Sequence, residues 1–82
     1  IPQAHSLKEK RAYVKRLVER LKKKFNVSVS EVGFLDSWQR SLVAVVTVSN
    51  DSRLVDSTLE KVVSFTKELL PGSLLSYHKE LL

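Results

Sequence analysis

The sequence contains no cysteine and no methionine, and it has only two glycines, two prolines and one tryptophan. The absence of cysteine excludes disulfides, thiolate zinc sites, iron–sulfur clusters and cysteine nucleophiles. A glycine-rich phosphate loop is also excluded, because Gly33 and Gly72 each stand alone. The sequence therefore predicts neither a cofactor nor a metal site.

Long hydrophobic runs are missing as well. The longest uninterrupted run, residues 42–46, is far shorter than the roughly 20 residues that a membrane-spanning helix needs, and no signal-peptide pattern opens the chain. We therefore expect a cytoplasmic protein with no membrane partner. The chain of 82 residues predicts a single domain, residues 1–82, that buries only about 60% of its unfolded surface, so a deep enclosed active site is not expected.

Positive charge is concentrated in the first third of the chain. Residues 1–25 hold nine Lys and Arg against two Glu, a balance of +7, whereas residues 26–82 hold five against seven acids, a balance of −2. Together they give the net charge of +5. Such an asymmetry favours an anionic partner, either nucleic acid or a phospholipid surface.

The basic segment has the pattern of an amphipathic helix. Ser6 and Glu9 form the spacing of a capping box, in which each side chain satisfies the backbone amide of the other residue, so the helix should begin at Leu7. Asn26 is expected to end it. The apolar residues recur at helical spacing on one face: Leu7, Val14, Leu17, Val18, Leu21 and Phe25.

Two strands joined by a loop are expected next. In "VSVSEVGF", the apolar residues Val27 and Val29 share one face of the strand. The next apolar residues, Val32 and Phe34, fall on the opposite face, which indicates a bulge near residues 30–31. The segment "SLVAVVTVS" is almost continuously apolar, as is typical of an interior strand. The intervening "LDSWQR" is predicted to be the hairpin loop.

A second helix and a last strand complete the pattern. "NDS" at residues 50–52 supplies helix N-cap candidates, the apolar period then runs to Leu70, and Pro71 and Gly72 end the helix. "SLLSYHKELL", residues 73–82, alternates as a strand with one half-exposed face.

The resulting order, αββαβ, is one strand short of the ferredoxin-like βαββαβ sandwich. The first strand of that fold lies between the third and fourth, so without it those two would lie roughly 10 Å apart with unpaired backbone between them. We expect residues 1–3 to be the end of such a strand, or the missing strand to come from another chain.

Cations occupy an unfavourable end of the first helix. At about 100° per residue from Leu7, the apolar stripe covers about 280° to 20°, and a row of four cations lies at about 40° to 100°. Cations in the last turn, such as Lys22, complement the helix dipole, whereas Lys8, Lys10 and Arg11 near the N-terminus each cost a few tenths to about 1 kcal/mol. Two interpretations stay open for those three, anion binding or a merely solvated face. The row consists of Lys8, Arg11, Lys15 and Lys22.

The only tryptophan lies in the predicted loop, within Trp38-Gln39-Arg40. It could stack on a base or contact a partner. Alternatively, Trp38 could fold back over the sheet with Phe34 and Leu35 as an apolar lid. The exposure of the ring distinguishes the two interpretations.

Catalytic patterns are weak. His5 and His78 are far apart in sequence, and neither has a neighbouring carboxylate cluster. Glu31 and Asp36 could approach each other across the hairpin loop, but the sequence offers no general base or set of metal ligands to accompany them. The central strand carries no aromatic residue of the kind that single-stranded RNA modules use, and the G-x-x-G loop of KH domains is absent. We predict no catalytic residues and expect the protein not to be an enzyme.

Several motifs carry a family resemblance. "HSLKEKR", "KFNVSVSEV" and the segment from "DSWQR" to "VAVVTVSND" are similar to the YlxP-like family, small bacterial domains of unknown function. The resemblance spans essentially the whole chain, and Ala12-Tyr13 is a departure from it. It implies a ferredoxin-like fold with a strand before the first helix, and an association with ribosomes.

The function expected from these observations is a non-catalytic module that binds RNA or a ribosomal subunit. A self-associating interaction protein, dimerising through the Gly33–Arg40 loop or an edge strand, is one alternative. A small phosphate-ester hydrolase using His5 or Asp36 is the other. The nucleic-acid-binding residues predicted from the sequence are Lys8, Lys10, Arg11, Lys15, Lys22, Trp38 and Arg40.

Overall fold

The computed structural model describes residues 4–73 and 75–82. In chain order its elements are α1 (Leu7–Lys24), β1 (Ser28–Gly33), β2 (Leu42–Val46) and α2 (Ser52–Leu69). This αββα order is an α+β arrangement compatible with a ferredoxin-like βαββαβ fold, of whose four strands the described residues form the middle two. The expected strand end at residues 1–3 lies outside the described residues.

Helix α1 begins where the sequence predicts. Ser6 is the N-cap, and its hydroxyl accepts a hydrogen bond from the Glu9 amide at 3.1 Å. The return contact differs from the predicted one, because the Glu9 carboxylate accepts from the amide of His5, not Ser6, at 2.8 Å. The helix ends at Lys24 with Phe25 as its C-cap, slightly before the predicted Asn26.

Strands β1 and β2 form an antiparallel hairpin in which Val29 lies opposite Val45 and Glu31 opposite Val43. The register then shifts between Glu31 and Gly33, so Val32 is the extra residue of a bulge, one position beyond the predicted site. The predicted change of apolar face is wrong. Val32 is exposed, and Glu31 takes the inward position next along the strand from the buried Val29.

The expectation of an interior second strand is not met among the described residues, where β2 pairs with β1 alone. The predicted last strand is also wrong, since residues 75–82 contain no regular secondary structure and make no ladder with β2. The physical reason is the same for both. Strands need a neighbour for their backbone hydrogen bonds, and the strand expected between these two segments is absent from the described chain.

A cavity of about 160 Å³ marks the space between these segments. It is bounded by β2, by α2 and by the last segment, which is anchored to α2 where Lys79 contacts Asp56 at 3.5 Å and Glu60 at 3.7 Å. Side chains of β2 and of the last segment therefore line the same opening. The cavity is lined by Val43, Val45, Leu59, Val62, Val63 and residues 77–80.

Helix α2 follows its sequence signals closely. Asp51 is the N-cap and accepts from the Arg53 amide at 3.0 Å, and the helix stops before Pro71, with Gly72 at a positive φ of 84°. Neither described helix is long and apolar enough to cross a membrane.

The core is small and joins both helices to the hairpin. Its buried centre comprises Leu17 and Leu21 of α1, Val29 of β1 and Val62 of α2. Partly buried side chains surround it, among them Val43 and Val45 of β2 and the edge-to-face pair Phe25 and Phe65, whose ring centroids are 6.1 Å apart.

Candidate nucleic-acid interface

The row of cations on α1 is present as a surface feature. Lys8, Arg11, Lys15 and Lys22 are all exposed, and none of them forms an ion pair with any residue that the structure describes. From the first to the last of them the helix rises about 21 Å, at about 1.5 Å per residue. We call these four residues the basic row.

Lys10 does not belong to this surface, and its prediction as a nucleic-acid-binding residue is wrong. Its side chain is 0% exposed, and its ammonium lies 2.5 Å from the Glu31 carboxylate. The same ammonium donates to the backbone carbonyl of Phe34 at 2.9 Å. Paired and buried, Lys10 cannot reach a phosphate without breaking these contacts.

Glu31 is shared between the helix and both arms of the hairpin. Its carboxylate accepts from the hydroxyl of Ser41 at 2.7 Å, beside the contact with Lys10. The burial of Lys10 had a signal in the sequence. Lys10 lies at about 300° around the helix axis from Leu7, which is inside the apolar stripe of α1. Its partner had no comparable signal, since Glu31 is distant in sequence and reaches Lys10 only through the tertiary fold.

The hairpin end, residues 34–40, is an ordered turn. Phe34 has a positive φ of 56°, and its carbonyl also accepts from the Ser37 amide at 3.0 Å. The Ser37 hydroxyl in turn accepts from the Arg40 amide at 3.1 Å. The Arg40 guanidinium lies 4.8 Å from the centre of the Phe34 ring, as in a cation–π contact.

The lid interpretation of Trp38 is wrong. The Trp38 side chain is 42% exposed, and Phe34 and Leu35 are 49% and 54% exposed. A lid would have covered these rings against the sheet. The hairpin end instead presents one indole ring and one cation, Arg40, to solvent.

Apart from Lys22, the cations in the last turn of α1 have internal contacts or lie off the basic row. Lys24 places its ammonium 4.7 Å from the centre of the Phe65 ring and 5.9 Å from that of Phe25. A shallow cavity of about 230 Å³ opens beside these rings, lined also by Lys61, Ser64 and Glu68. Lys24 thus helps to cover the aromatic pair at the junction of the two helices.

The acids and histidines weighed as catalytic candidates are dispersed. Glu31 serves the contact with Lys10, and the ring of His78 lies 3.3 Å from Glu80 at an exposed position. His5 and Asp36 line neither of the two cavities. Among the described residues no group of three or more His, Cys, Asp or Glu is placed to hold a metal ion.

Comparisons with known proteins show the family to which the chain belongs. A family model described as "Protein of unknown function (DUF503)" matches residues 1–79. The chain belongs to this family. It is 45% identical over 62 residues to the "Uncharacterized protein YlxP" of Bacillus subtilis (strain 168), covering 76% of this chain and 67% of that protein. No solved structure matches the chain. The YlxP-like resemblance predicted from the sequence is confirmed, and the family brings no established function with it.

Proposed function

We propose that this protein is a non-catalytic RNA-binding module whose basic row contacts successive phosphates. The observation that carries the proposal is that four exposed cations follow one flank of α1 without an ion pair among the described residues. Phosphate contacts of this kind supply most of the affinity of nucleic-acid-binding surfaces.

Stability alone does not explain two members of the row. Lys10 is accounted for by its contact with Glu31, but Lys8 and Arg11 remain near the positive end of the α1 dipole and form no ion pair with a described acid. Each is expected to cost a few tenths to about 1 kcal/mol. A polyanion bound along this flank would offset that cost.

Ribosomal RNA, alone or in a subunit, is the specific target we propose. This choice follows from the resemblance described above, whereas the structure supports it only through the basic row and the exposed hairpin end. The hairpin end would provide a second contact through Arg40 and Trp38.

The test is the affinity for ribosomal subunits and for duplex RNA across a salt series. Four phosphate contacts predict that log K falls with log salt with a slope of roughly −3.6, at about −0.9 per phosphate. Between 50 and 200 mM salt the affinity should then fall by about 150-fold. The double variant Lys8→Gln and Lys15→Gln should bind more weakly, with the slope reduced in magnitude by about two.

The matched control is Arg20→Gln with Lys23→Gln. It removes the same two charges from exposed positions of α1 that lie off the row. This control should keep most of the affinity and nearly the full slope. Equal losses in the two double variants would show that net charge, and not the row, drives binding. A flat salt response would count against RNA binding altogether.

Self-association is a second candidate function. The outward side of the hairpin exposes Val32, Leu42 and Val46 at 54%, 52% and 64%, and among the described residues β2 pairs with β1 on one edge only. Unpaired strand edges and exposed apolar faces both favour pairing with another chain. Sedimentation velocity over a range of protein concentrations tests this candidate. A sedimentation coefficient that does not change with concentration would contradict it.

A further inference from the structure

One buried contact group fixes the hairpin end against α1. Lys10 of α1 contacts Glu31 in the first arm and donates to the carbonyl of Phe34, and Glu31 accepts from Ser41 at the start of the second arm. Both arms are therefore attached to the first turns of the helix. As a result, the hairpin end lies at the same end of the molecule as Lys8 and Arg11.

The hairpin end, residues 34–40, is also stabilised by hydrogen bonds within the turn itself. The Phe34 carbonyl accepts from both Lys10 and the Ser37 amide, and the Ser37 hydroxyl accepts from the Arg40 amide. Trp38 lies inside this turn with 42% of its side chain exposed. An aromatic ring held on an ordered turn loses little conformational entropy when it contacts a ligand.

We propose that Trp38 is a base-stacking residue and that the preferred RNA is a duplex containing an unpaired nucleotide. This inference rests on the RNA-binding function proposed above. The basic row would follow the phosphates of the paired segment, and Trp38 would stack on the unpaired base with Arg40 beside it.

The chemistry of RNA explains the preference for an unpaired nucleotide. In a continuous A-form duplex the bases are stacked on one another and the major groove is too narrow for side chains, so an indole ring finds no free base face. A bulged nucleotide can swing out and offer its face. Stacking of this kind tolerates any base identity, so the site would recognise RNA shape and not sequence.

The experiment compares two RNA hairpins, one fully paired and one identical except for a single bulged adenosine. Trp38 is the only tryptophan, so its fluorescence reports directly on the proposed site. The bulged hairpin should bind about 10-fold more tightly and should quench this fluorescence. The paired hairpin should bind through the basic row with little quenching.

Variants assign the preference to the indole ring. Trp38→Ala should bind both hairpins about equally, whereas Trp38→Phe should keep part of the preference because it keeps a ring. Tyr77→Ala is the matched control, because it removes an aromatic side chain that is 57% exposed but lies outside the hairpin end. This control should keep the full 10-fold difference.

The outcomes separate the two proposals. Equal affinities for the two hairpins, with a steep salt dependence and no quenching, would overturn base stacking while the basic row remains an RNA-binding surface. A preference for the bulge that survives Trp38→Ala would also overturn it. Failure to bind either hairpin or ribosomal subunits would overturn the proposed function itself.

Discussion

At the scale of single residues, the pair formed by Lys10 and Glu31 is the feature with the largest expected effect on stability. Their side chains are 0% and 15% exposed. Lys10→Met should lower the free energy of unfolding by about 3 kcal/mol, at the lower end of the range for breaking a buried pair, because Glu31 keeps its bond to Ser41 and some access to water. Urea unfolding followed by circular dichroism measures the change.

Two further variants test the cause. Lys10→Met combined with Glu31→Gln should recover part of the loss, since no uncompensated charge then stays buried. Lys8→Met, at an exposed position of the same helix, should not lower the free energy of unfolding and should raise it by a few tenths to about 1 kcal/mol, because it removes a cation from the positive end of the helix dipole. A Lys10→Met variant no less stable than Lys8→Met would contradict the structural role of the pair.

The same residue shows what a sequence can and cannot predict about a site. The angular position of Lys10 falls within the apolar stripe, so its burial could have been inferred from helical geometry alone. The charge of Lys10 favours the opposite prediction, because lysines are almost never buried unless they are paired. The partner Glu31 is fixed by the bulge and by the packing of the hairpin on α1, which no local pattern reports.

At the scale of elements, the start of α1 depends on the side chain of Ser6. Its hydroxyl accepts from the Glu9 amide, one of the amides that the helix itself leaves unpaired. Ser6→Ala should lower the free energy of unfolding by about 1 kcal/mol. Ser6→Asp is the control and should keep most of the stability, because a carboxylate accepts from the same amide. A Ser6→Ala variant as stable as the wild type in urea would exclude this role.

Elements defined by local contacts were predicted well, and those defined by distant contacts were not. The start of α1 and the end of α2 depend on residues within a few positions of each helix end, so the local sequence is enough to predict them. The last segment has the alternation of a strand, yet residues 75–82 form none. A strand requires a neighbour, and that requirement cannot be read from the alternation itself.

At the scale of the whole molecule, stability should be unevenly distributed. Helix α1, β1 and α2 share the buried cluster of Leu17, Leu21, Val29 and Val62. Residues 75–82 are exposed, have no ladder hydrogen bonds and are tied to α2 through the contacts of Lys79. Partly exposed ion pairs such as these contribute only about 0 to 1 kcal/mol.

Amide hydrogen exchange followed by NMR tests this distribution. Amides in the central turns of α1 and α2 should exchange only through global unfolding, whereas those of residues 75–82 should exchange through local opening that costs little free energy. Lys79→Gln should speed exchange in the last segment further and leave the helices unchanged, and Lys67→Gln, an exposed position of α2 outside these ion pairs, is its control. Protection in residues 75–82 equal to that of the helix centres would mean that the segment is held by backbone hydrogen bonds to a neighbour, as a strand is, and not by Lys79.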